Sequence, residues 1–228
     1  MKIAILGSGP VGQTLASKLK ELGHEVFMAT RNPEETKSRT EPNFMSGISF
    51  QDWYVNNKNV HVVAYGNVPK DSDMVLNATS GQHSLSALNM VGPEILKGKT
   101  ILDLANPLDF SKGMPPTLTI CNTDSLGEQI QAAFPKSNVV KSLNTVNFGL
   151  MVHPSMVPGN HNLFVSGNDE NAKNKVIELL SQLGWQKQQI IDLGDIKTAR
   201  GTEMMMPFWL SLMNKFESPI FNINIAKS

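Results

Sequence analysis

Short runs of consecutive apolar residues alternate with amphipathic stretches along most of this chain. The first run, Ile3–Leu6, has the continuous apolar character of a parallel strand that is covered on both faces. A glycine-rich turn follows, and then Val11–Leu22, where apolar residues recur every three or four positions, as on one face of a helix. Gly23 is expected to end this helix, and Glu25–Ala29 is predicted to be a second strand. Together these elements predict a βαβ unit.

The alternation of strands and helices continues beyond the first unit. Further strands are predicted at Val60–Ala64, Met74–Ala78, Thr100–Leu104, Val139–Leu143, Leu163–Val165 and Gln189–Asp192. Helices are predicted at Ser84–Leu96, Ser125–Phe134 and Glu170–Leu183. The polar segment 31–59 predicts only a short helix and a loop. This order of elements predicts a doubly wound α/β fold of the Rossmann class.

We expect residues 1–194 to form the Rossmann dinucleotide-binding domain and residues 195–228 a short C-terminal helical segment. Within that segment, Lys197–Phe216 has a helical pattern rich in Met, Phe and Trp, which Pro207 should interrupt. The segment carries more apolar side chains than one side of a small sheet is expected to need. We therefore expect it either to pack on its own domain or to contact the partner in a homodimer.

The composition excludes several classes of protein. Lys and Arg number 20, as do Asp and Glu, so no global field favours nucleic acid or an anionic membrane. No apolar stretch approaches the ~18 residues that a membrane span needs. The single Cys121 cannot form an internal disulfide, and no His or Cys cluster suggests a metal site. We expect a soluble protein of a reducing, cytoplasmic compartment.

The loop between the first strand and the first helix has the spacing Gly-x-Gly-x-x-Gly, which is typical of dinucleotide sites. Gly7 permits the tight turn, Gly9 lets the backbone approach a pyrophosphate, and Gly12 allows the helix to pack closely on the strand. The helix N-terminus adds free N–H donors and a positive dipole. We expect all six residues of the motif to contact the cofactor: Gly7, Ser8, Gly9, Pro10, Val11 and Gly12.

The residues after the second strand indicate which dinucleotide is bound. An NAD site usually has Asp or Glu here for the ribose 2′-hydroxyl, but this chain has Thr30, Arg31 and Asn32. A hydroxyl and a guanidinium can hydrogen-bond a 2′-phosphate, which a carboxylate would repel. The sequence therefore predicts NADP(H), with its 2′-phosphate on Thr30 and Arg31. Lys37 and Arg39, further along, are expected to be ordinary loop charges.

Three later strands end in small or amide side chains, at the edge where doubly wound sheets bind ligands. His83 follows one of them and is the candidate general acid or base, although it also starts a helix, where it could simply pack. The sequence has no Ser/His/Asp arrangement and no paired carboxylate in a predicted cleft. It favours redox chemistry by positioning of a cofactor over hydrolysis. The strand-end candidates are Thr79, Ser80, Asn106, Pro107, Asn144, Thr145 and Val146.

Several segments together resemble the family of NADP oxidoreductases dependent on coenzyme F420, and also the cytosolic oxidoreductase domain of the six-transmembrane metalloreductases. The segments that carry the resemblance are Gly7–Gly12, Thr30–Asn32, Asn106–Pro107, Lys141–Thr145, Asp192–Gly194, Ala199–Arg200 and Glu203. The resemblance covers Met1 to about Leu212. Its most specific part is the combination of Asn144 with Arg200 and Glu203.

The resemblance implies hydride transfer between NADP(H) and a flavin or deazaflavin, with no obligatory acid or base from the protein. It would place Thr79, Ser80 and His83 along the cofactor, Asn106 and Pro107 beneath its ribose and nicotinamide, and Asn144 to Val146 at the nicotinamide face. The family member that uses the deazaflavin has histidine where this chain has Asn144, whereas the metalloreductase domains have asparagine. The acceptor is therefore open between FMN, FAD and coenzyme F420.

Two other functions remain open at this point. A reductase of a small carbonyl or imine would need a large helical domain, but only about 34 residues follow Gly194. A non-catalytic NADP(H)-binding sensor would account for the absence of an assured acid or base. If the protein is an enzyme of either kind, a flavin or deazaflavin reductase or a carbonyl or imine reductase, we expect its partner to be a small-molecule substrate or redox acceptor.

Overall fold

The structure, a computed structural model, describes residues 1–227. Its strands are β1 (Lys2–Leu6), β2 (Glu25–Thr30), β3 (His61–Ala64), β4 (Met74–Asn77), β5 (Thr100–Asp103), β6 (Leu108–Asp109), β7 (Thr117–Leu118), β8 (Asn138–Ser142), β9 (Leu163–Gly167) and β10 (Ile190–Asp192). Its α-helices are α1 (Pro10–Glu21), α2 (Pro33–Ser38), α3 (Phe50–Val55), α4 (Gly81–Val91), α5 (Pro93–Leu96), α6 (Leu126–Ala133), α7 (Phe148–Val152), α8 (Glu170–Gln182), α9 (Ala199–Met204) and α10 (Met206–Phe216). None of the helices in the described residues has the length and apolar character that a membrane span requires.

Eight of the strands form one sheet in the order β3-β2-β1-β4-β5-β8-β9-β10. The first six in this order are parallel neighbours, and β9 runs antiparallel to β8. The strand order reverses between β1 and β4, where a doubly wound sheet opens a crevice for ligands. The predicted Rossmann fold is confirmed.

Side chains of β1 show why both faces of the sheet are covered. Ile3 and Ile5 point into a cluster that includes Leu15 of α1 and Leu179 of α8. Ala4 and Leu6 belong to a second cluster, which contains residues of α4 and α6. Because successive side chains of a strand point to opposite faces, a strand between two helical layers is apolar throughout.

The predicted strands after the first unit all occur, with ends that differ by at most two residues. The helix predicted at Ser84–Leu96 is divided into α4 and α5 by Gly92, whose φ of +97° ends α4. The polar segment 31–59 contains α2 and α3. Helix α7 and the β6–β7 hairpin were not predicted, because five-residue and two-residue elements are too short to show a period.

The C-terminal segment is helical, as predicted, and divides at Met205, two residues before Pro207, which lies in the first turn of α10. It packs on its own chain: Trp209 of α10 belongs to a small cluster that contacts Leu108 and Leu118 of the hairpin. Phe221 stacks on Trp209 with ring centroids 5.2 Å apart. The division of the chain after residue 194 stays a prediction, and its last residue, Ser228, lies outside the described residues.

A buried ion cluster joins the C-terminal segment to the sheet. Lys141 of β8 lies with its Nζ 2.8 Å from Asp103 of β5 and 2.8 Å from Glu203 of α9, and all three side chains are at most 1% exposed. Burial alone would lower the pKa of Lys141, but the two carboxylates outweigh it and raise that pKa. Glu203 also accepts hydrogen bonds from the backbone N–H groups of Leu126 and Gly127, at the start of α6. Lys141 therefore stays protonated and neutralises part of a buried anionic cluster.

Lys141→Met should lower the free energy of unfolding by about 3–5 kcal/mol, because two carboxylates would stay buried without their cation. Lys18→Met is the matched control, since Lys18 pairs at 3.6 Å with the exposed carboxylate of Glu21 and should cost less than about 1 kcal/mol. Urea unfolding measures both. Equal losses would contradict the role given to Lys141.

Candidate functional site

The glycine-rich turn connects β1 to α1 at the carboxyl edge of the sheet. Gly7 has a φ of +111°, and a Cβ added there would lie 2.6 Å from the carbonyl oxygen of Ala78. A Cβ on Gly12 would lie 2.3 Å from the carbonyl oxygen of Gly7. A Cβ on Gly9 would meet no heavy atom within 4 Å. The first and last glycines are therefore required by packing, whereas Gly9 faces open space.

A depression of about 220 Å³ lies between this turn and helix α4. The sequence-predicted residues that line it are Gly7, Ser8, Gly9, Arg31, Thr79, Ser80 and His83. Its other lining residues are Tyr65, Ala78, Ser86, Ala87 and Met90. Sequence reasoning missed the α4 side chains, although Ser86, Ala87 and Met90 share a helical face with His83. The structure thus brings together the glycine-rich turn and the ends of β2 and β4.

The three residues predicted at the end of β2 have different surroundings. The Thr30 hydroxyl is buried and shares a 2.8 Å hydrogen bond with the hydroxyl of Thr36. The Asn32 side chain caps α2 by accepting a 3.2 Å hydrogen bond from the N–H of Glu35. Arg31 is exposed, lines the depression, and makes no salt bridge within residues 1–227. Of the three, only Arg31 brings an unengaged polar group to the depression.

Arg39 reaches the same turn from the other end of α2. Its Nη2 donates to the carbonyl oxygen of Ser8 at 3.2 Å and lies 3.3 Å from the Ser8 hydroxyl. Its guanidinium carbon lies 5.6 Å from the ring centroid of Phe50. Lys37, by contrast, pairs with Glu34 at 3.0 Å, as an ordinary surface charge would. The expectation that Arg39 is only a loop charge does not match this contact, which spans 31 residues of sequence and has no local signal.

A chain of buried hydrogen bonds fixes the wall of the depression at the end of β4. The Asn77 amide donates to the carboxylate of Asp103 at 2.7 Å and to the hydroxyl of Ser84 at 2.9 Å. The Thr79 hydroxyl donates to the Asn77 carbonyl oxygen at 2.7 Å. A Cβ on Gly81 would lie 2.1 Å from the carbonyl oxygen of Asn106, so α4 packs directly on the loop after β5.

The ends of β5 and β8 contact each other instead of lining the depression. The Asn106 amide donates to the backbone carbonyl of Asn144 at 2.8 Å, and the Asn144 amide donates to the Asn106 side-chain oxygen at 3.0 Å. Thr145 and Val146 are buried, and Val146 belongs to the hydrophobic core. These residues shape the edge of the sheet, with Pro107 leading into the β6–β7 hairpin.

His83 lies in the first turn of α4 and lines the depression. Its ring has no hydrogen-bond partner within the described residues. Tyr65 lies on the same wall, where burial raises its pKa and the Arg31 guanidinium offsets part of the rise. The described part of the chain contains no group of three or more His, Cys, Asp or Glu side chains that could hold a metal ion. The site can hold an extended anionic ligand and offers it one histidine.

Comparison with known proteins relates the whole chain to one group of enzymes. Residues 2–107 match the family described as NADP oxidoreductase, coenzyme F420-dependent. A solved structure from Arthrobacter sp. FB24, provisionally described as an F420-dependent NADP reductase, is 50% identical, covers 100% of both chains and has a TM-score of 0.94. An F420-dependent NADP reductase of Methanocaldococcus jannaschii is 29% identical over 99% of this chain and 98% of its own. The rat metalloreductase STEAP3 is 25% identical over 91% of this chain and 38% of its own.

Gly9→Val should block dinucleotide binding, because its side chain would fill the open space above the turn. The backbone of Gly9 is extended, with φ −80°, so the free energy of unfolding should change by less than about 1 kcal/mol. Gly12→Val is the contrasting variant and should destabilise the fold itself. Fluorescence titration with NADPH and urea unfolding measure the two effects. If Gly9→Val binds NADPH with wild-type affinity, the glycine-rich turn is not the dinucleotide site.

Proposed function

Because this chain belongs to the family of coenzyme F420-dependent NADP oxidoreductases and is an NADP-dependent oxidoreductase, we propose that it transfers hydride between NADP(H) and a flavin or deazaflavin acceptor. The observation that carries the proposal is that the open face of Gly9 and the guanidinium of Arg31, which forms no salt bridge within the described residues, line the same depression. The open backbone at Gly9 leaves room for a pyrophosphate, and the guanidinium of Arg31 suits a phosphate monoester.

The pyrophosphate would lie on the turn and on the N-terminus of α1. Pro10 occupies the first turn of the helix and gives up no needed hydrogen bond there. The backbone N–H groups of Val11 and Gly12 precede the first bonded amide, that of Gln13, which donates to Gly9. Free N–H groups and the helix dipole favour an anion at this position.

The 2′-phosphate would bind Arg31 at the end of β2. The Thr30 hydroxyl already bonds to the Thr36 hydroxyl, and the Asn32 side-chain oxygen already accepts from the N–H of Glu35. They hold the strand end and α2 in place. A guanidinium is suited to a phosphate monoester because it can donate two parallel, charge-assisted hydrogen bonds.

The nicotinamide end would lie toward the ends of β4, β5 and β8. Thr79, Ser80 and His83 would line the cofactor, and the paired Asn106 and Asn144 would fix the surrounding edge. Thr145 and Val146, which are buried, would support that edge from the core, with Pro107 beside it. When bound, NADP(H) supplies the hydride. The residues of the chain orient the two rings and need not transfer a proton.

The acceptor, the assembly and the compartment are finer points of the same proposal. FMN, FAD and coenzyme F420 are all candidate acceptors. We also propose a homodimer and a cytoplasmic location. The exposed Met204, Phe208 and Phe216 of the C-terminal segment support a contact between copies. A carbonyl or imine reductase and a non-catalytic sensor remain the alternatives.

Oxidation of NADPH by the purified protein, followed at 340 nm with FMN, FAD or coenzyme F420 in turn, tests the proposal. We expect turnover with at least one of them. His83→Ala should keep turnover within about tenfold and add no pH dependence, because positioning needs no acid or base, whereas general acid–base catalysis contributes roughly 10²–10⁴-fold. NADPH binding without turnover would favour a sensor. A loss in the larger range with intact NADPH binding would instead mean that His83 acts as a general acid or base.

Arg31→Glu should weaken NADPH binding by about 2–4 kcal/mol and NADH binding far less, because it removes a charge-assisted bond and adds repulsion. Lys136→Glu makes the same charge reversal just before β8, at the opposite edge of the sheet, and should leave both affinities unchanged. Fluorescence titration measures them. An equal loss for NADPH and NADH in Arg31→Glu would contradict the proposed contact.

A further inference from the structure

Arg39 is held in place by contacts on both its backbone and its side chain. Its N–H donates to Thr36 at 3.3 Å, and its carbonyl accepts from the N–H of Gln51 at 3.1 Å. The guanidinium packs over the buried ring of Phe50 and hydrogen-bonds Ser8 of the glycine-rich turn. A flexible surface arginine would not combine these contacts. The side chain is therefore directed at the turn.

The charge of Arg39 is not neutralised by the described residues. Within residues 1–227 it forms no salt bridge, whereas Arg200 pairs with Glu128 and Lys37 pairs with Glu34. Arg39 itself lines a second depression together with Glu35 and Glu41, and forms a salt bridge with neither carboxylate. A guanidinium has five N–H donors, and the bonds to Ser8 use only Nη2. The remaining donors are free for a ligand.

Arg31, which also forms no salt bridge within residues 1–227, brings a second guanidinium to the same turn, because it lines the depression that Ser8 also lines. Two like charges near one residue repel each other unless an anion lies close to both. A phosphate monoester, with a charge of about −1.5 to −2, would attract both guanidinium groups and so offset the repulsion between them.

We propose that Arg39 is a second specificity-determining residue for NADP(H), which binds the phosphate monoester on the adenosine ribose together with Arg31. This inference rests on the proposed binding of NADP(H) at the glycine-rich turn. It assigns the discrimination between NADPH and NADH to two guanidinium groups from opposite ends of α2. The contact with Ser8 holds Arg39 ready before the ligand arrives, which reduces the entropy lost on binding.

The test compares NADPH with NADH, and 2′,5′-ADP with 5′-ADP, by titration of the wild type, Arg39→Met and Arg39→Lys. Arg39→Met keeps an unbranched side chain over Phe50 but removes the charge. We expect it to bind NADPH and 2′,5′-ADP about tenfold more weakly or worse, and NADH and 5′-ADP within about twofold, since a charged hydrogen bond contributes about 1.5–3 kcal/mol. Arg39→Lys should recover part of the loss. Urea unfolding confirms that each variant folds.

Lys37→Gln is the matched control, because it removes a positive charge two residues away that is already paired. It should change neither affinity by more than about twofold. If Lys37→Gln and Arg39→Met lose the same amount of NADPH affinity, with NADH affinity kept, the effect comes from the overall positive charge near the turn and not from a contact of Arg39. That result would overturn the inference. An equal loss of NADPH and NADH in Arg39→Met would mean that Arg39 only braces the turn, which also overturns it.

The role of Arg39 and the proposed NADP(H) site can be tested separately. If Arg39→Met leaves NADPH affinity unchanged while Arg31→Glu lowers it selectively, the proposed NADP(H) site stands and the role of Arg39 is wrong. If the wild-type protein binds neither NADPH nor 2′,5′-ADP, both are wrong. A double variant of Arg31 and Arg39 that loses less than the sum of the two single losses would support a shared ligand group.

Discussion

The buried ammonium group of Lys141 is the interaction on which the carboxyl edge of this sheet depends. It neutralises Asp103 of the neighbouring strand β5 and Glu203 of α9, in a place that water does not reach. Glu203 in turn receives the first N–H groups of α6, so one cluster orders β5, β8, α6 and α9 together. Such a cluster adds little net stability over an apolar core, but it penalises every arrangement that separates its members.

The same cluster continues into the candidate site. Asp103 accepts from the amide of Asn77, which accepts from the hydroxyl of Thr79 on the wall of the depression. Lys141 also donates to the carbonyl of Ala105, directly before the loop that packs on α4. The wall is thus built from satisfied buried polar groups, which hold ligand-facing side chains in one geometry. This rigidity would suit the proposed hydride transfer, in which the side chains only hold the two rings in position.

Charge at the site is local and not a property of the whole molecule. The chain carries equal numbers of acidic and basic residues, so no long-range field concentrates anions. In the proposed site, the positive charge offered to a phosphate comes from Arg31 and Arg39, which form no salt bridge within residues 1–227 and lie near the glycine-rich turn. Under that proposal, the discrimination between two dinucleotides that differ by one phosphate rests on these two side chains.

The sequence by itself determined the Rossmann fold, the glycine-rich turn and the position of Arg31, because each depends on residues that lie close together along the chain. Apolar runs, helical spacing and a six-residue motif are local signals. Only the tertiary structure decided that Thr30 is engaged with Thr36, that Arg39 contacts Ser8, and that Lys141 is buried between two carboxylates. These contacts depend on which side chains the fold brings together and on how much water it excludes. A pattern of residues that are close in sequence predicts neither.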